Sequence, residues 1–84
     1  MAEAAETRET VLSLLADLCQ DGLVRTDLDA DLFGLGLIDS IGFIDLLAGL
    51  HSRLGIAVAP TEVDRAELAT PGKVLAFVER RLAP

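Results

Sequence analysis

Between Asp39-Ser40 and Gly55 the apolar residues Phe43, Leu46, Leu47, Leu50 and Leu54 return at spacings of three and four. At 100° per residue they fall on one stripe, so Ser40 to Leu54 is predicted to be an amphipathic helix, started by Asp39 or Ser40 and stopped by Gly55. Such a stripe must be covered by other elements. In a chain of 84 residues the cover comes from one small core, because a domain of this size buries only roughly 60% of its unfolded surface. Residues 1–84 are therefore read as a single domain, with no room for two catalytic lobes.

The remaining segments supply that cover as further helices. Val11, Leu14, Leu15 and Leu18 form a stripe on a first helix from about Glu6 to Gln20, which Asp21-Gly22 stops. Thr70-Pro71 reads as the cap and first residue of a last helix through about Leu82, with Val74, Leu75, Phe77, Val78 and Leu82 available to the core. Thr61 to Asp64 can form one short turn. The chain has three Phe and neither Trp nor Tyr, with Ala and Leu dominant, which disfavours strands. The expected architecture is all-α: three long helices, one short one, and a long loop from Leu23 to Asp39. Leu28, Leu32, Phe33 and Leu37 would pin that loop to the core.

Ser40 is the residue with the most chemistry to offer. The first N–H groups of a helix lack partners and the helix dipole is positive there, so a phosphodiester on Ser40 would be well placed. Ser40 or Asp39 could equally be an ordinary N-cap. On the helical wheel Gly42, Asp45, Gly49, Ser52 and Arg53 face water. Ile41 and Ala48 lie beside that face, and Ile44 lies between them and Ser40. An apolar strip next to Ser40 suits a docking surface, unless Ile41 packs under the long loop.

Other sites fail on spacing. Asp27-x-Asp29-x-Asp31 opens like a calcium loop, but its sixth position is Leu32 and its twelfth Ile38, where glycine and a bidentate glutamate are needed. Gly34-x-Gly36 lacks the preceding strand, the third glycine and the Lys-Ser/Thr pair of a nucleotide loop. His51, read as structural at the core edge, is roughly 16 Å along a regular helix from Ser40, so no hydrolase triad forms. Cys19, the single cysteine, has no basic partner and no disulfide mate and reads as a small apolar residue. No catalytic residue and no metal site is assigned.

Formal charge is −7, and no basic residue lies between Arg25 and Arg53, while Asp27, Asp29, Asp31, Asp39 and Asp45 do. That excludes a nucleic-acid partner and favours partners with basic patches. No membrane insertion or secretion is indicated, since Ile41 to Leu50 is short and broken by Asp45, and a cytoplasmic location is expected.

Read in order, Leu32-Phe33, Gly36, Asp39-Ser40, the apolar helix and Gly55-Ile56-x-Val58-x-Pro60 resemble the acyl and peptidyl carrier protein family. Within it, Asp39-Ser40-Ile41-Gly42, Arg53 before the helix end, Val63-Asp64-Arg65 and Thr70-Pro71-x-Lys73 look most like the D-alanyl carriers. The resemblance implies a four-helix carrier bundle whose Ser40 is esterified by 4′-phosphopantetheine from coenzyme A. A separate phosphopantetheinyl transferase adds the arm, with Asp39 in support. The carrier itself is then a non-catalytic monomer that holds cargo as a thioester and raises its effective concentration at partner sites.

Fatty-acid carriers usually present several acidic residues on the helix after the serine, whereas here only Asp45 is offered, beside Ile41, Gly42, Ile44 and Ala48. These five form the expected partner face, and they favour an aminoacyl carrier loaded by an adenylating enzyme and unloaded by a downstream acyl or aminoacyl transferase. Six Arg against the single Lys73 hint at a GC-rich bacterial genome, which puts a stand-alone aminoacyl carrier of natural-product biosynthesis first. A D-alanyl carrier for teichoic acid modification comes second and a polyketide acyl carrier third. The rival of another class is an unmodified helical interaction module in which Ser40 is only a cap. Phe43 stands where the family more often has a small or polar residue, and its ring should keep cargo outside the bundle.

Overall fold

In chain order the computed structural model has helices α1 (Ala2–Cys19), α2 (Leu23–Thr26) and α3 (Ser40–Leu54), a 3₁₀ turn (Arg65–Leu68) and helix α4 (Pro71–Leu82). It describes residues 2–82, with side chains from residue 5 onward, and no strand occurs among them. The fold is all-α, as the stripes predict. Its core joins Val11, Leu14 and Leu15 of α1, Leu46 and Leu50 of α3, and Val74 and Val78 of α4. No polar or charged side chain is buried among the described residues, so the interior is purely apolar.

Helix α3 has the expected bounds because both ends are chemically marked. At its start the Asp39 carboxylate accepts from the Gly42 amide at 2.7 Å. At its end Gly55 adopts φ 71°, and its amide donates to the His51 carbonyl at 2.9 Å. Helix α4 likewise opens where Thr70-Pro71 predicts, with Thr70 Oγ1 accepting from the Lys73 amide at 3.1 Å.

Five expectations about the fold need correction. Helix α1 starts at Ala2 instead of Glu6, and it ends through Gln20, whose φ is 52°, instead of through Gly22. Gly22 keeps an ordinary helical conformation ahead of α2. The span expected to be all loop contains that short helix, and the short turn expected at Thr61 to Asp64 lies one step later, at Arg65–Leu68. Gly49 does not face water: a Cβ there would come within 2.6 Å of Leu14 Cδ1, so α1 crosses α3 against this glycine.

Gln20 offers a direct test of the helix stop. A left-handed non-glycine residue costs about 1–2 kcal/mol, part of which glycine returns in unfolded-chain entropy. Gln20→Gly is expected to gain about 0.5 kcal/mol and raise Tm by about 2–4 °C in a reversible thermal melt. An unchanged or lower Tm would show that the strain at this position is relieved in another way.

Two sets of contacts fix the loop before α3. Arg25 of α2 pairs with Glu9 and donates to Ser13 Oγ at 3.1 Å, tying α2 to α1. The hydrogen bonds that the exposed Glu9 carboxyl accepts, from Arg25 first and from Ser13 Oγ at 3.2 Å second, hold it below the usual carboxylate range. Farther on, the Leu32 amide donates to the Ala69 carbonyl at 2.8 Å and the Gly72 amide to the Leu28 carbonyl at 2.9 Å. Leu32 is fully buried, with Leu28, Phe33 and Leu37 packed against the core, while Val24 and Ile38 are buried although the sequence did not single them out.

Candidate functional site

Asp39 is the cap of α3, which settles the role that its neighbour could have had. Ser40 is the first helical residue, exposed to solvent, and its hydroxyl makes no capping bond. The Gly42 amide is taken by Asp39 and the Phe43 amide by the Asp39 carbonyl at 2.8 Å. Ser40 therefore presents an exposed hydroxyl, free of any capping duty, at the positive end of a 15-residue helix.

Sequence reasoning missed the group that meets this hydroxyl. Arg65 reaches back from the 3₁₀ turn, and its Nη2 donates to Ser40 Oγ. Its guanidinium lies over two rings, 5.6 Å from the centre of Phe33 and 5.9 Å from that of Phe43. The rings are themselves 6.0 Å apart and tilted by 55°. This platform gives the cation a fixed position through cation–π attraction and stacking. Among the described residues no carboxylate forms an ion pair with Arg65. The signal that could have found it is Val63-Asp64-Arg65, which the sequence offers only as part of a resemblance.

The surface beyond Ser40 is apolar. Ile41 is 72% and Ile44 47% exposed, which removes the alternative that Ile41 packs under the loop. Asp45 and Ala48 are exposed beside them. Gly42 is an exception within the expected partner face: it is half-buried, and a Cβ there would stand 2.9 Å from Ile38 Cγ2, so it admits the incoming loop and does not face water. Next to this face Ile44, Ala48 and His51 form one wall of a surface groove, and Ala57, Ala59 and Pro60 the other. His51 lines this groove and is exposed, contrary to its expected place at the core edge.

The other reactive groups lie elsewhere. Cys19 packs partly against the core, and burial first, with Asp21 second, pushes its thiol up, away from the thiolate that a nucleophile requires. Asp31 Oδ1 accepts from the Gly34 amide at 2.9 Å, and Asp27 Oδ1 from the Asp29 amide at 3.1 Å, so these aspartates shape the loop. No group of three or more His, Cys, Asp or Glu is arranged to hold a metal among the described residues. None of the described helices is long and apolar enough to cross a membrane.

Known proteins match this arrangement over most of its length. The family described as phosphopantetheine attachment site matches residues 9–78. The D-alanyl carrier protein of Abiotrophia defectiva is 49% identical over 75 residues, covering 89% of this chain and 95% of the relative. D-alanyl carrier protein 1 of Lactiplantibacillus plantarum is 45% identical over 74 residues, covering 88% and 91%. The D-alanyl carrier protein of Lacticaseibacillus casei is 42% identical over 80 residues, covering 95% and 98%.

Proposed function

This chain belongs to the phosphopantetheine-attachment family of carrier proteins, and on that premise we propose that Ser40 bears the arm and that the cargo is D-alanine. The observation that carries the site is the exposed Ser40 hydroxyl at the first position of α3, with the capping duty assigned to Asp39. A phosphodiester fits there, since the positive helix end favours an anion and the Ser40 side chain is exposed to solvent.

In the modification step Ser40 Oγ attacks the pantetheine-bearing phosphorus of coenzyme A. An O–P bond forms, the bridging P–O bond of the pyrophosphate breaks, and 3′,5′-adenosine bisphosphate leaves with the electron pair. The hydroxyl proton passes to a base of the phosphopantetheinyl transferase. The attached group supplies a thiol that holds an aminoacyl cargo as a thioester. The chain's own contribution is positional: Asp39 and Gly55 fix α3, and α3 presents Ser40 beside Ile41, Ile44, Asp45 and Ala48. We assign this face to the transferase and to an adenylating enzyme that loads the arm, and we read the chain as a non-catalytic, monomeric, single-domain carrier of the cytoplasm.

D-alanine takes precedence over the natural-product cargo that the sequence placed first, because the relatives at 42–49% identity are D-alanyl carriers over nearly their whole length. The downstream acceptor on this reading is the teichoic acid that the family resemblance implies. Holo protein is expected to gain the mass of one alanyl group when incubated with ATP, D-alanine and a D-alanine-adenylating enzyme. Equal or better loading with L-amino acids by natural-product adenylating enzymes, and none with D-alanine, would return the chain to the natural-product branch.

A further inference from the structure

The Arg65 guanidinium contacts the very oxygen that would be esterified, yet the unmodified chain gives it only a neutral hydroxyl to bind. Its platform of Phe33 and Phe43 holds it in place, and no described carboxylate pairs with it. Glu62, Asp64 and Glu67 flank it in sequence, yet the guanidinium is turned to the hydroxyl and the two rings. A guanidinium carries five donors in a planar fork that matches two oxygens of a phosphate, and one hydroxyl uses only a single donor of that fork.

We propose that Arg65 is the positioning residue for the root of the arm, resting on the assignment of Ser40 as the attachment site. In the unmodified chain Arg65 donates to Ser40 Oγ. In the modified chain it pairs with the non-bridging oxygens of the phosphodiester formed on that oxygen. The first bonds of the arm are thereby held beside the 3₁₀ turn that carries Arg65. Asp39 forms no ion pair with the guanidinium, and its Oδ1 accepts from the Gly42 amide. The effect is to narrow the range of directions that the root of the arm samples.

The test compares unmodified and modified wild-type protein by NMR, with Arg65→Gln and Arg65→Lys alongside. Intact mass first establishes that each sample carries the arm. In the wild type the Arg65 Nε–H resonance is expected to move on modification, and its exchange with water to slow about two- to fivefold, the range for an exposed ion pair. The single phosphorus resonance should differ between the modified wild type and Arg65→Gln. Arg65→Lys should fall between them, since an ammonium keeps the charge but not the fork. Added salt should reduce the wild-type effect. Modified wild type whose Arg65 Nε–H resonance and exchange match those of the unmodified form overturns the proposal and leaves Ser40 as attachment site intact. Wild type that takes no arm at all overturns both. If Arg65→Gln fails to fold, the wild-type comparison decides alone.

Discussion

Ser40→Ala is expected to abolish arm attachment completely while leaving the helix it starts intact. Wild-type protein incubated with coenzyme A and a broad-specificity phosphopantetheinyl transferase should gain one arm per chain in its intact mass, and the variant none. The fold should be indifferent, because Ser40 is exposed and does not cap: Asp39 accepts from the Gly42 amide in its place. A surface change of this kind stays within about 0.5 kcal/mol, so the two melts should agree within about 4 °C. Asp39→Ala should do the opposite to stability, losing a cap worth about 1 kcal/mol. The contrast separates a carrier from a plain helical interaction module. If Ser40 were there for the helix, its removal would be felt in the melt. An arm that still attaches to Ser40→Ala would place the attachment on another hydroxyl and undo the reading of the site.

What the sequence disclosed and what it withheld follow from how far apart the determining residues are. Helix α3 was legible to both ends because its stripe, its Asp39 start and its Gly55 stop lie within 17 residues of one another. Pro71 marked α4 for the same reason. Helix α2 has only four residues, too few to show a period, and it rests on the buried Val24 and on Arg25 reaching back to α1. The wheel of α3 correctly separated the core stripe from Ile41 and Ile44, but a wheel cannot know which side a neighbouring helix crosses. Gly49 therefore looked solvent-facing when it is the point of approach for Leu14, and His51 looked half-buried when it borders an open groove. Arg65 meets Ser40 across 25 residues, a contact that no local pattern records.

Phe43→Ala is expected to destabilise the fold more than any of the substitutions above, and its companion Phe43→Leu shows why. The Phe43 ring is only 5% exposed, sits one turn into α3, and packs at 6.0 Å from Phe33 beneath the Arg65 guanidinium. Truncation removes the buried ring and leaves a cavity, at a cost of about 3–5 kcal/mol. At about 4–8 °C per kcal/mol, Tm should fall by at least about 12 °C, a large loss for a domain whose whole stability is on the order of 5–15 kcal/mol. Phe43→Leu restores most of the volume and should cost less than about 1.5 kcal/mol, yet it takes away one aromatic face under Arg65. The two variants therefore divide the ring's two duties. Alanine reports on packing through the melt, and leucine reports on the platform through the Arg65 Nε–H resonance, which should lose the part of its ring-current displacement that Phe43 contributes, in a protein that still melts close to wild type. The same ring bears on the cargo, because it occupies interior space that an acyl chain would need. Loading should thus leave the resonances of Phe43 and Leu47 nearly unmoved, and large shifts there would mean that the core opens to admit the cargo after all.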